Sequence, residues 1–300
     1  EFNAPIDMEN YLDTFKSLGL MGRLGEYQDS QEYFMMFIDA MISAYPKIDG
    51  YEINLFEYYF KFKIRNIMRK KNKNTGEIMP ETFYDNDMTH LNLQIIDDDN
   101  KNINNFNSCL YDFFKIETYQ NENRIVEEDS NLEWDTKNIT MLNFPKILVI
   151  HLKRFKFKEG LKLDIKKGVY RDKKNNVVYP IEFIGHEVDM PYKIDEEFEI
   201  YFSNSKITYD LYAFSYYIEE SKHYISFIKK PFFIEPNLEY NNENFTPGWY
   251  LVNDDIQFDI LHDDDVNQYK NYGYLYFYKA RDRSEEHTSE LQSHSDLVCR

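Results

Sequence analysis

A chain of 300 residues that is 42% apolar and 17% aromatic can bury a sizeable core, which suits one large domain or two close lobes. A net charge of −18 repels phosphate backbones and so argues against nucleic acid as a partner, although it would steer basic peptides as readily as it serves solubility. No apolar run approaches the roughly 20 residues of a membrane span, and the opening Glu1-Phe2-Asn3-Ala4-Pro5 has neither an initiator Met nor a signal-peptide pattern, so the chain reads as soluble, off the membrane and cut at its N-terminus.

In chain order, Phe15, Leu18, Leu20 and Met21 predict a short helix, punctuated by Gly22 and Gly25. Tyr33, Phe34, Phe37, Ile38, Met41, Ile42 and Tyr45 then recur at helical spacing, with Asp29 as the cap, Glu32 closing a capping box and Pro46 as the stop. From about 51 to 143, short aromatic and β-branched runs alternate with Asn-rich turns. Residues 59–64 and 91–96 predict strands, 69–76 a basic, solvated hairpin tip, and 97–105 a loop. After Pro145, residues 147–152 are apolar on both faces, as a doubly covered central strand would be, and alternation continues to Phe157. Residues 209–217, 223–229, 249–252 and 272–279 predict further antiparallel strands. Helices first and strands later predict an α+β fold.

From Arg283 the text RSEEHTSELQSHSDLVCR has no hydrophobic period and resembles a translated sequencing-library adapter, so residues 283–300 stay outside the functional reading. Setting Cys299 aside leaves Cys109 as the one thiol. A disulfide framework is then impossible, and a reducing compartment fits, cytoplasmic or nuclear. Cys109 lies among Phe106, Leu110, Phe113 and Phe114 and reads as core.

The sequence has no CxxC pair, no HExxH and no Gly-rich phosphate loop, so zinc, zincin and nucleotide chemistry find no support. A histidine-centred site remains, with candidates His90, His151, His186, His223 and His262. His223 opens an alternating strand just after the polar 219–221 loop, and Asn253, Asp254 and Asp255 end another aromatic strand. If those strands are adjacent, Asn253 or Asp254 accepts the Nδ1 proton of His223 and leaves Nε2 as a base. Spacing alone favours a structural histidine and a turn of solvated acids.

Four boxes in order resemble those of the ubiquitin-specific proteases. Gln28-Asp29-Ser30-Gln31-Glu32-Tyr33-Phe34 is similar to the family's Gln-Asp box, and residues 144–155, ending in Leu152-Lys153-Arg154-Phe155, to its proline-to-LKRF strand. Lys222-His223-Tyr224 resembles the histidine box, and Trp249-Tyr250-Leu251-Val252-Asn253-Asp254 the terminal Trp box; the resemblance runs over 11–280. It implies a papain-like fingers-palm-thumb fold with part of the thumb missing: thumb helices in 1–50, fingers in 51–143 and palm in 144–282. The implied activity is cysteine-type hydrolysis of the isopeptide or peptide bond after ubiquitin's C-terminal glycine, by a monomer acting on ubiquitinated proteins. Carried over, His223 is the general base, Asn253 its orienting partner and Asp254 an accessory group. Asp29 and Glu32 would line the channel for ubiquitin's basic tail, walled by Phe155, Phe157 and Tyr224, although capping competes for Asp29 and Glu32.

Three departures qualify the expectation. The family's Cys box precedes its Gln-Asp box, yet none of the 27 residues before Gln28 is Cys, so the chain is expected to be an inactive fragment of a hydrolase; the alternative is a non-catalytic ubiquitin-binding relative. The Cys pairs that close a zinc site at the fingertips are replaced, with Asn66, Arg69, Val126 and Asp129 standing nearby, so no metal or other cofactor is expected. Lys222 stands where Gly is usual before the histidine, and Tyr217 where another His is frequent.

Overall fold

The computed structural model describes residues 29–119, 125, 131–164, 167–194, 207–230, 248–254 and 256–281. The expected helix near 15–21, Val126, Asp129 and the 283–300 tail lie outside them.

Helix α1, Ser30–Ala44, forms where the periodicity places it, with Phe34 and Ile38 buried and Pro46 two residues past its end. Asp29 caps it from an extended backbone, its Oδ1 accepting the Gln31 and Glu32 N–H groups at 2.8 and 3.1 Å. Glu32 is exposed and makes no return bond, so the cap is one-sided and not the capping box the spacing suggests. A full capping box appears instead at α2, Leu55–Phe60, between Asn54 and Glu57. That box corrects the strand expected over 59–64: two reciprocal bonds start a helix across Tyr58 to Phe60, and the strand begins only at Phe62.

Strand β1, Phe62–Asn72, pairs antiparallel with β2, Thr82–Met88, and with β5, Leu132–Met141, and β4, Glu117–Thr118, completes a sheet of order β2-β1-β5-β4. The basic run expected at a solvated tip is partly inside this sheet. Arg69 Nε donates to Asp135 Oδ2 at 2.8 Å, and Lys71 lies between Glu133 and Asp135 at 3.7 and 3.5 Å. Asn66 is buried on β1.

The second sheet has eight strands. Its path is β16 (Ile256–Leu261), β15 (Gly248–Asn253), β14 (His223–Lys230), β13 (Tyr209–Ile218), β17 (Leu275–Ala280), β6 (Ile147–Leu152) and β3 (Leu91–Leu93), with β12 (Lys193–Ile194) on β13. All pairs are antiparallel except β3 with β6. Every residue of β6 is buried, as its apolar run implies, His151 included. Ile147 and Val149 pack under α1, whereas Leu148, Ile150 and Leu152 pack toward α3, Phe106–Phe114, and the main core. The fold is therefore α+β, with helices on both faces of the larger sheet. Helix α4, Asp263–Lys270, was not evident from periodicity; three acids in its first turn suit the helix dipole. Between the LKRF segment and β12 the chain forms β7 (Phe155–Phe157) paired with β11 (Ile181–Phe183), and a meander of β8 (Lys162–Asp164), β9 (Val169–Arg171) and β10 (Val177–Val178).

Arg154 fastens this part of the molecule. It is wholly buried, and its guanidinium donates to the carbonyls of Gly273 (2.7 Å), Ile184 (3.1 Å), His186 (2.7 Å) and Asn271 (3.0 Å). Gly273 is held close for a second reason. A Cβ there would lie 2.7 Å from the Tyr276 hydroxyl, which is buried and donates to the Lys270 carbonyl at 2.6 Å. Gly273→Ala is expected to cost about 2 kcal/mol by overpacking, read as a fall of several degrees in a thermal melt.

Candidate active site

The register of the larger sheet carries the candidate residues to one edge. β13 and β14 form a hairpin through residues 219–222, pairing Ile218 with His223, so His223 stands at the first position of its strand. β15 lies on the other side of β14, with Ser226 opposite Val252. Extending that register makes Asn253 a diagonal neighbour of His223 on the same sheet face, a separation that only a long side chain spans. The ring bridges it with its outer nitrogen: Nε2 lies 2.7 Å from Asn253 Oδ1 and 3.8 Å from Asp254 Oδ1. The ring is thus turned the opposite way from the sequence expectation. Nε2 donates to the amide oxygen, and Nδ1 is the nitrogen left for a base.

Both turns that flank this pair contain strained residues. Lys222 has φ of +53° and Asp254 +52°, in the left-handed region that favours glycine. The resemblance's preference for Gly before the histidine has its physical cause here. Lys222 tolerates the conformation while its ammonium lies 5.5 Å from the centre of the Tyr179 ring.

The expected tail-channel residues divide. Phe155 and Tyr224 both pack on Tyr274, at ring distances of 5.4 and 5.5 Å, and Tyr217 closes the group against each of them at 5.1 and 4.9 Å. The Tyr274 hydroxyl donates to Asp29 Oδ2 at 2.6 Å, which brings the start of α1 to the same cluster. Burial, with Asp29's charge adding, pushes the phenol of Tyr224 up, so it stays protonated. Glu32 projects from the first turn of α1 into solvent, and Phe157 is 52% exposed and turned to Tyr170, away from the cluster. Asp29 therefore does the capping work and joins the cluster, while Glu32 and Phe157 are not gathered with it. Tyr274 and Tyr217 were missed as members; Tyr274 lies 245 residues from Asp29 in sequence, beyond any local pattern.

His90, His151 and His186 have structural hydrogen-bond partners. Asn92 donates to His90 Nε2 at 2.9 Å and accepts from His151 Nδ1 at 2.6 Å, while Gln31 Nε2 lies 3.2 Å from His90 Nε2. This places His90 and His151 in the Nδ1-protonated, neutral form. His186 Nε2 donates to the Ile103 carbonyl at 3.1 Å, and His262 precedes α4. Burial lowers the pKa of His90, and burial followed by the neighbouring His90 and Lys153 lowers that of His151 to about 3. Because these folded values lie below the unfolded one, the unfolded chain takes up protons first as pH falls. Stability is then full above about pH 6.5 and is lost toward pH 3; His151 alone is expected to cost about 2 kcal/mol by pH 5. Denaturant midpoints at pH 7 and pH 5 check this, with His151→Gln flattening the difference.

Cys109, on α3, is fully buried, and desolvation followed by Asp112's charge pushes its thiol up to about 12. It is expected to resist alkylation by iodoacetamide at pH 8 until the chain is unfolded, as mass spectrometry would read. Among the described residues no three His, Cys, Asp or Glu side chains cluster as a metal site, and no helix is long and apolar enough to cross a membrane.

Comparison with known proteins agrees with this architecture. A family model described as ubiquitin carboxyl-terminal hydrolase matches residues 4–278. Ubiquitin carboxyl-terminal hydrolase 4 of Arabidopsis thaliana is 30% identical over 153 residues, covering 50% of this chain and 36% of that protein. The Ubp8-Sgf11-Sgf73-Sus1 SAGA DUB module superposes with a TM-score of 0.58 at 18% identity, over 92% of this chain and 53% of the solved one. The same module bound to ubiquitin aldehyde gives 0.57 at 18%, over 85% and 50%. These structures share the fold, and the chain spans about half of their length. With a family model matching residues 4–278 of the 300, the chain belongs to the ubiquitin carboxyl-terminal hydrolase family, and its α+β fold is that of a ubiquitin-specific protease catalytic domain.

Proposed function

We propose that the chain is the downstream part of a thiol-dependent deubiquitinase domain that hydrolyses the bond after ubiquitin's C-terminal glycine once an upstream cysteine completes it. The observation that carries the reading is the 2.7 Å contact between His223 Nε2 and Asn253 Oδ1 at the mouth of a hairpin. An amide oxygen holding Nε2–H fixes the tautomer and leaves the Nδ1 lone pair to deprotonate a thiol. Thiolate attack on the ubiquitin carbonyl would expel the amine, which takes its proton from His223, and water would then resolve the acyl-enzyme. Asp254 would add its charge near the imidazolium. The aromatic group of Phe155, Tyr217, Tyr224 and Tyr274, beside Asp29, suits a narrow peptide tail, with Glu32 and Phe157 at its outer reaches. Ubiquitin is the proposed partner, consistent with the ubiquitin aldehyde bound by the Ubp8 module.

The test is a ubiquitin probe bearing a C-terminal electrophile. The 300-residue chain is expected to form no adduct, since Cys109 is buried and protonated, whereas a chain extended through an upstream Cys box should react and turn over. Adduct formation at Cys109 would overturn the reading. Ubiquitin binding by an extended, folded chain without turnover would favour the non-catalytic relative.

A further inference from the structure

A cavity of about 320 Å³ opens beside the loop that precedes His223. Tyr216, Tyr217, Tyr269 and Tyr272 wall it, and Glu219 and Glu220 line it from the loop. Tyr217 is the wall it shares with the aromatic group around Tyr274, so the cavity is a neighbour of the tail channel and not part of it. The Tyr216 and Tyr269 rings meet edge to face at 5.4 Å on one side of the cavity. Both glutamates are exposed and have no ion-pair or hydrogen-bond partner among the described residues. Of the cations around the cavity, Arg154 commits its guanidinium to four backbone carbonyls, and Lys222, on the same loop as the glutamates, holds its ammonium 5.5 Å from the centre of the Tyr179 ring. Aromatic rings and unpaired carboxylates attract the same kind of group, a cation on a slender stem, whereas an anion would meet the two carboxylate charges.

We propose that this cavity is a subsite for a lysine or arginine side chain of the polypeptide on the leaving side of the scissile bond. The identity of that polypeptide rests on the hydrolase reading, in which ubiquitin's tail occupies the Tyr274 side; the cationic chemistry rests on the cavity alone. Glu220 is three residues from His223, so a chain departing past the histidine passes the opening. The role would be selection among targets by a basic residue near the modified lysine.

The experiment measures binding of fluorescent seven-residue Gly/Ser peptides, with a central lysine or norleucine, to the 300-residue chain by anisotropy. The lysine peptide is expected to bind at least fivefold more tightly than the norleucine peptide. Glu219→Gln with Glu220→Gln should erase that preference. Gly185→Leu should do the same by filling the cavity, because a Cβ at 185 makes only ordinary contact with Phe183, at 3.6 Å. Glu77→Gln with Glu81→Gln, which removes the same charge elsewhere, should leave it intact. Equal affinity for the two peptides, no binding at millimolar peptide, or insensitivity to Gly185→Leu would overturn the proposal. Displacement of the peptide by ubiquitin would overturn it too, by assigning the cavity to ubiquitin's own chain. A lysine preference with the expected variant pattern, in a chain that shows no affinity for ubiquitin, would support the subsite and count against the hydrolase reading.

Discussion

Replacing Arg154 with methionine is expected to lower the melting temperature by about 10 °C, or to leave the chain unfolded at room temperature. Methionine fills much of the same volume, so the loss is polar and not a cavity. Four carbonyls, from Ile184, His186, Asn271 and Gly273, would each forfeit a charge-assisted donor from a guanidinium that is itself wholly buried. At about 1 kcal/mol or more for each stranded acceptor, the sum is about 4 kcal/mol, a large share of a typical domain's 5–15 kcal/mol. Arg154→Lys should fall between, since an ammonium offers three donors from one point and cannot span carbonyls on two loops. Arg65→Met is the contrast. Arg65 makes two short bonds to Asp85, at 2.7 and 2.9 Å, but on an exposed strand, and its loss should barely move the melt. Equal shifts for Arg154→Met and Arg65→Met would show that the four-carbonyl staple contributes little.

That contrast also marks where sequence reading reaches its limit. Helix α1 and strand β6 are legible because their burial is written in local period: Phe34 and Ile38 on one helical face, and four apolar residues in a row, then His151 and Leu152, for a strand covered on both sides. Helix α2 was misread because Tyr58, Tyr59 and Phe60 are strand formers by propensity, and a capping box at Asn54 overrides them. The meander of β8 to β10 is rich in Lys, Asp and Asn and gives no alternating signal, so its strands are set by pairing alone. His223 and Asn253 could be named from their strand ends, but the orientation of the ring could not. Which nitrogen meets the amide depends on a two-residue offset in the β14–β15 register. Arg154 stands inside the LKRF segment, yet nothing in that segment says that its partners are carbonyls 30 to 119 residues away. The absence of Glu32 and Phe157 from the aromatic cluster has the same origin: each sits one turn or one strand step beyond a residue that is in it.

In a chain extended to include its nucleophile, His223→Ala is expected to abolish hydrolysis of a ubiquitin-fluorophore amide, by on the order of 10⁴-fold or more. Asn253→Ala should cost roughly 10²-fold, because it releases the ring without removing the base. The geometry sets this ranking. With Nε2–H held at 2.7 Å by Asn253, Nδ1 carries the lone pair and cannot swing away; without the amide, Asp254 at 3.8 Å is the nearest acceptor and can recapture Nε2–H only by a further turn of an exposed side chain. Asn253→Asp should therefore retain more activity than Asn253→Ala, and Asn253→Ala combined with Asp254→Ala should lose more than either single change. Lys222→Gly offers an internal control, since it relieves a φ of +53° next to the base while removing no group from the reaction. It should leave the ranking unchanged and the fold at least as stable. The decisive comparison is kcat for Asn253→Ala against His223→Ala. If the two lose activity equally while ubiquitin still binds with unaltered affinity, the amide is doing more than orienting the ring. If neither loses activity, the His223–Asn253 pair is not the catalytic centre.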